Sequence, residues 1–299
     1  MPTYYNHQRE NLKLPHPTPK AFKYKYSWLS ENLTSKIEFG GDILRNRLKA
    51  ILEMGKVALG AWMTTGSVKV AWTLANAGID WILFDLEHGP CSIETIDKTI
   101  HYLRGCPAVP LIRVVWNDVN AIKRALDTGA WGVVIPWVST KKEAERAVKF
   151  CKYPPEGIRG AAPARPAEVW GITPNEYLLT ANKEVMVIIQ IEREEAVENI
   201  EEILSVKGID ATFIGPTDLS NSMGYVGDPF HPKVVEAMDK ILEVSREKGV
   251  TPGIAYGLND SHIKKLIEKG FQFIGIGSEL SLLKRGCENA LQSIKEEGV

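Results

Sequence analysis

Eight short, almost unbroken apolar runs recur along this chain, at residues 57–62, 81–86, 110–114, 132–136, 185–191, 211–215, 251–255 and 271–276. A strand with one wet face alternates apolar and polar residues, whereas a strand buried on both faces reads as a continuous apolar run. The stretches between the runs carry helix signals instead. Thr140 and Glu143 have capping-box spacing ahead of Ala144, Ala147 and Val148, and Val234, Val235, Met238, Ile241 and Leu242 form a stripe that stops at Gly249. Eight strand–helix repeats in about 250 residues predict an α/β fold, a parallel (β/α)8 TIM barrel, with a doubly wound open sheet as runner-up. No Gly-x-Gly-x-x-Gly follows the first run, which counts against a dinucleotide-binding sheet.

The barrel is read over residues 41–299, with one extra helix over 42–54 that stops at Gly55 before the first strand. Residues 1–40 differ in character. Pro15, Pro17 and Pro19 punctuate them, and aromatic residues such as Tyr24, Tyr26 and Trp28 interleave with Lys20, Lys23 and Lys25, as expected of an N-terminal arm packed over the barrel or a neighbouring subunit. A formal net charge of -1 in 299 residues leaves no basic excess for a nucleic-acid backbone or an anionic membrane. The expected partner is a small molecule. No run approaches the roughly 20 apolar residues of a membrane span. Cys91, Cys106, Cys151 and Cys287 include no Cys-x-x-Cys pair, so neither a disulfide framework nor a structural zinc is expected, and the reading is cytoplasmic.

Active sites of such barrels lie at the carboxyl ends of the strands. Few of these ends are ionisable. The second run leads into Asp85-Leu86-Glu87-His88-Gly89-Pro90, the third contains Arg113, the fifth leads into Gln190-Ile191-Glu192, and the sixth into Gly215-Pro216-Thr217-Asp218. Glu192 and Asp218 follow consecutive strands and can hold one hard divalent ion through oxygen, leaving positions for a substrate with adjacent oxygens. Helix capping or pairing with a surface lysine is the bland alternative for each. His88, three residues after Asp85, suits proton transfer with Asp85 orienting its imidazole. Glu87 is open: it holds a metal-bound water, or orients Arg113 or another group of the site. Arg113 inside an apolar strand needs an anion, either a substrate carboxylate or enolate oxygen, or Glu87 in a structural ion pair. No strand end carries lysine, which argues against Schiff-base chemistry and for a Lewis-acid metal. Gly275-Ile276-Gly277-Ser278 suits either anion binding by backbone N–H groups or tight strand–helix packing.

Together with Leu59-Gly60-Ala61-Trp62, Trp116-Asn117-Asp118, Tyr153-Pro154-Pro155-Glu156-Gly157-Ile158-Arg159-Gly160 and Met223-Gly224-Tyr225, these motifs resemble, in order from about residue 47 onward, the class II pyruvate aldolases of the HpcH/HpaI family. The resemblance implies a hexamer of barrels, Glu192 and Asp218 as ligands of Mg²⁺, Mn²⁺ or Co²⁺, Arg113 on the enolate oxygen, and His88 paired with Asp85 as acid/base. Gln190, Glu87, Gly215 and Pro216 then lie at the ketoacid. The implied reaction joins or splits a pyruvate enolate and an aldehyde through a 4-hydroxy-2-ketoacid. The alternative on the same site is oxaloacetate decarboxylation, or enolate trapping of the macrophomate synthase type. One departure stands out: after Gly160 the chain reads Ala161-Ala162-Pro163-Ala164-Arg165-Pro166, where many members have a Gly/Ser-rich loop, so the aldehyde is not carried over.

Overall fold

The computed structural model describes residues 45–296 apart from Tyr256, Leu258 and Asn259. The arm at 1–40 and the start of the helix expected from 42 lie outside them. Eight parallel strands close into a barrel in sequence order: β1 (Ala58–Met63), β2 (Trp81–Asp85), β3 (Val109–Arg113), β4 (Gly132–Ile135), β5 (Met186–Ile191), β6 (Ala211–Ile214), β7 (Gly253–Ala255) and β8 (Phe273–Ser278). Helix α1 (Arg47–Glu53) precedes β1. The connections carry α2 (Val68–Ala75), α3 (Ile93–Tyr102), α4 (Val119–Leu126), α5 (Lys141–Cys151), α6 (Ala164–Trp170), α7 (Pro174–Glu184), α8 (Glu194–Glu198), α9 (Ile200–Leu204), α10 (Pro216–Ser222), α11 (Pro232–Glu247) and α12 (Asp260–Lys269), and α13 (Glu279–Glu296) follows β8. No helix among the described residues is long and apolar enough to cross a membrane.

Strand parity divides the core in two. Ile82, Phe84, Ile112, Val133, Val187, Ile189 and Ile274 face outward and pack with the helices, while Ala58, Trp81, Leu83, Leu111, Val134, Ile188, Phe213 and Phe273 fill the interior. Because successive strand side chains alternate faces, the residues that continue the interior row upward are fixed by position. On β2 that residue is Asp85, on β3 Arg113 and on β5 Gln190. Below them Trp81, Phe213 and Phe273 form an aromatic floor, with ring centroids 4.4 Å apart for Trp81–Phe273 and 5.0 Å for Phe213–Phe273. Gly60 makes room for it: a Cβ there would fall inside the Trp81 ring.

The predicted capping box forms, with Thr140 and Glu143 bonding each other's backbone at the start of α5. Asn46 caps α1 through its side chain and also donates to the carbonyls of Trp131 and Glu184, tying that helix to the barrel. The run at 251–255 shortens to Gly253–Ala255, because Pro252 has no N–H for the ladder and Thr251 makes only an isolated bridge to Ala211. The stretch 161–166, which stands where many members of the family have a loop, is partly helical: Ala164–Trp170 form α6. Pro163 is its N-cap and Pro166 lies in its first turn, where a missing N–H costs no helical bond.

Candidate active site at the carboxyl mouth of the barrel

Arg113 and Asp85 are paired in the β2–β3 register, so their side chains emerge side by side inside the barrel. Arg113 Nε donates to Asp85 Oδ1 at 2.9 Å and Nη2 to Oδ2 at 2.8 Å, a bidentate fork in a buried setting. Its remaining corner, Nη1, lies 2.8 Å from Glu87 Oε2. The guanidinium plane rests on Trp62 from β1, with Cζ 4.3 Å from the ring centroid. Arg113 is therefore held on three sides. The two sequence readings of Glu87 and Arg113, an ion pair and a positioned guanidinium, coincide in this one arrangement.

The Asp85 carboxylate also shapes the turn that follows it. Oδ1 accepts from the backbone N–H groups of Glu87 at 3.0 Å and His88 at 3.3 Å. Gly89 completes this turn, since a Cβ there would run into the Asp85 carbonyl. His88 is thus oriented by Asp85 through its main chain, while its imidazole faces Glu87, with Nε2 3.9 Å from Oε1. The ring is 68% exposed, placed to exchange protons with solvent.

Across the mouth, Gln190 Nε2 donates to Glu192 Oε2, and Glu192 Oε1 accepts from the Trp137 N–H at 2.9 Å. Gly215 lets them approach the end of β6: a Cβ there would lie 3.0 Å from Glu192 Oε2 and 3.1 Å from Gln190 Nε2. Pro216 takes the first position of α10, and Asp218 sits in its first turn, where acidic groups suit the helix dipole. Burial, reinforced by the negative charges of Glu87 and Asp218, raises the Glu192 carboxyl to about 7, against the lowering effect of the Trp137 N–H and Arg113. Burial also pushes the Glu87 carboxyl up, while Arg113 and His88 pull it down.

The local charge balance favours a cation. Asp85, Glu87, Glu192 and Asp218 gather about a single guanidinium, and one buried oxygen beside them, Gln190 Oε1, has no hydrogen-bond donor. A divalent ion with oxygen ligands fits this donor set. Among the described residues no group of three or more His, Cys, Asp or Glu gathers as a ready-made metal cage. Two carboxylate ligands would leave most of a coordination shell open.

The structure brings together Asp85, Glu87, His88 and Arg113 on one side and Gln190, Glu192, Gly215, Pro216 and Asp218 on the other. Trp62 and Trp137 are the members that reading for ionisable groups passed over. Trp62 lay within a quoted motif and carries the right parity on β1, a signal that its ring belongs to the interior. Nothing local marks Trp137, whose contribution is a main-chain N–H. At the end of β8 the Ser278 N–H is already taken by the Ser281 hydroxyl at 2.9 Å.

A carboxylate-rich mouth around one clamped arginine, on a closed parallel barrel, fits an aldolase/lyase enzyme, and comparison with known proteins defines that class. Residues 58–285 match the family model HpcH/HpaI aldolase/citrate lyase, and the chain belongs to that family. A 4-hydroxy-2-oxo-heptane-1,7-dioate aldolase of Escherichia coli is 39% identical over 246 residues, covering 82% of this chain and 93% of that protein. Among solved structures, a HpcH/HpaI aldolase/citrate lyase family protein of Burkholderia cenocepacia superposes with a TM-score of 0.78 at 33% identity, covering 84% of this chain and 99% of that one. Macrophomate synthase superposes with a TM-score of 0.73 at 26% identity, covering 91% and 97% respectively.

Proposed function

We propose that this barrel is a metal-dependent class II aldolase that makes and breaks 4-hydroxy-2-ketoacids through a pyruvate enolate and an aldehyde. The observation that carries the reading is the unbalanced charge of the mouth: four carboxylates around one immobilised guanidinium, with Gln190 Oε1 left without a donor. Glu192 and Asp218 are the residues that would hold the ion, which would be Mg²⁺, Mn²⁺ or Co²⁺. The ion, when bound, supplies Lewis-acid polarisation of a ketoacid carbonyl.

The protein's own groups account for the rest. Arg113 keeps its donors at a fixed place beside the mouth and stabilises the oxyanion of the enolate without reorganising, because Asp85, Glu87 and Trp62 restrain it. Gln190 orients the Glu192 carboxylate by donating to Oε2, which leaves its own amide oxygen as a further oxygen on the cation-binding side. His88 moves the proton to or from the 4-hydroxyl of the ketoacid, and its exposed ring returns that proton to water. Glu87 bridges Arg113 and the imidazole, coupling the anion-binding group to the proton carrier. The four free cysteines support a reducing, cytoplasmic setting. The exposed apolar side chains of Leu280, Leu283, Leu291 and Ile294 on α13 support assembly into a homo-oligomer, read as a hexamer.

Exchange of deuterium into the methyl group of pyruvate, followed by NMR after quenching with chelator, tests the reading. Exchange is expected with Mg²⁺ or Mn²⁺, and its loss is expected with excess chelator and in Glu192→Ala and Asp218→Ala. No exchange with any divalent ion would overturn it. The structural similarity to macrophomate synthase favours one second reading, decarboxylation of oxaloacetate with trapping of the enolate. Release of CO₂ from oxaloacetate at a rate exceeding aldol cleavage would put that reading first.

A further inference from the structure

Three side chains at the mouth take no part in the chemistry above. Trp116 follows the end of β3, Trp137 follows β4, and Arg193 follows Glu192 at the end of β5. The two indoles have centroids 5.9 Å apart at 40°, and the Arg193 guanidinium lies 5.1 Å from the Trp137 ring. This aromatic and cationic ladder spans three successive strand ends, yet Trp116 is 52% and Trp137 41% exposed. Large indoles left in water beside a buried carboxylate cluster are a poor investment for folding alone.

Trp137 is also the one non-glycine residue among those described with a positive φ, at 59°. A bulky side chain in the left-handed region is strained, and such strain collects at functional sites. That conformation does two things at once. It turns the Trp137 N–H onto Glu192 Oε1, and it presents the indole to Trp116 and Arg193. The ladder is therefore locked, through one residue, to the carboxylate proposed to hold the ion.

We propose that Trp116, Trp137 and Arg193 form the acceptor subsite, and that it selects an aldehyde with a planar aromatic body. Indole faces offer such a body offset or edge-on stacking, which an aliphatic aldehyde cannot match. Arg193 keeps the Trp137 ring in place by stacking against it. The inference rests on the aldolase reading, and concerns only which aldehyde that reaction uses.

The test compares benzaldehyde with acetaldehyde as acceptors for pyruvate, taking the ratio of their kcat/KM values so that any general loss cancels. The wild type is expected to favour benzaldehyde. Trp116→Ala is expected to lower the ratio roughly five- to tenfold, with Trp116→Phe restoring most of it. A ratio unchanged in Trp116→Ala would overturn the proposal. If the sedimentation coefficient falls at the same time, the ladder is an interface between copies instead. Pyruvate methyl exchange in the wild type separates the two levels: without it the aldolase reading fails, whereas exchange with a flat acceptor ratio sinks the subsite alone.

Discussion

Arg113 shows how much one side chain in this mouth depends on shape as well as charge. A lysine there keeps the positive charge but not the fork that meets both Asp85 oxygens, nor the flat face that rests on Trp62. Arg113→Lys is expected to lower kcat/KM for ketoacid cleavage by roughly 10²–10³-fold, the scale of losing one preorganised oxyanion donor. Steady-state kinetics check this, and a loss under threefold would show that any cation suffices. Arg113→Ala removes the partner of a buried carboxylate and is expected to cost about 3–5 kcal/mol of stability in urea melts. Arg113 itself was legible in the sequence, because a charge in an apolar strand advertises a partner. Its clamp was less so: Trp62 is fifty-one positions away and reaches it because β1 and β3 flank β2 and their inward side chains meet across it.

Strand ends are where position translates into chemistry. Asp85, Arg113 and Gln190 were readable as polar groups at or in otherwise apolar runs; the parity that turns all three inward emerges only with the paired strands. The ends of the runs were less readable. Apolar content fades into Gly-Ile-Gly-Ser after Ile274, yet β8 continues to Ser278 because its pairing with β1 persists across a register shift between Gly60 and Trp62. The His88 ring was expected against Asp85 but faces Glu87, because the Asp85 oxygens are already spent on two backbone N–H groups and Arg113. Gly215 tests the close approach of β5 and β6. Gly215→Ala places a methyl against Glu192 and Gln190, and is expected to weaken Mn²⁺ binding 10–100-fold, as disturbed support of a ligand does. Titration calorimetry with unchanged far-UV circular dichroism would check it, and wild-type affinity would show that the end of β5 yields freely.

At the scale of the whole molecule, the charged mouth is a liability until it is filled. The Glu192 carboxyl is raised from 4.5 to about 7 in the folded state, so folding favours its protonated form. Its contribution to stability is full below pH 4.5 and is lost as the pH rises through about 7, a change of about 3 kcal/mol. The metal-free protein is expected to melt at progressively lower temperature across that window, and Glu192→Gln to flatten the dependence. Mn²⁺ added above pH 7 is expected to restore the melting temperature of the wild type by binding the folded state. Thermal melts over pH, with and without the ion, measure both effects. An equal slope in the variant would assign the loss to other groups.

The aromatic floor of Trp81, Phe213 and Phe273 leaves the barrel with a single door. Whatever binds nearest the floor must enter first and leave last. In the proposed function the ketoacid end seats against Arg113, and the aldehyde half then stands between it and the exit. Cleavage then releases products in a compulsory sequence, aldehyde before pyruvate, and pyruvate becomes the competitive product inhibitor against the ketoacid while the aldehyde does not.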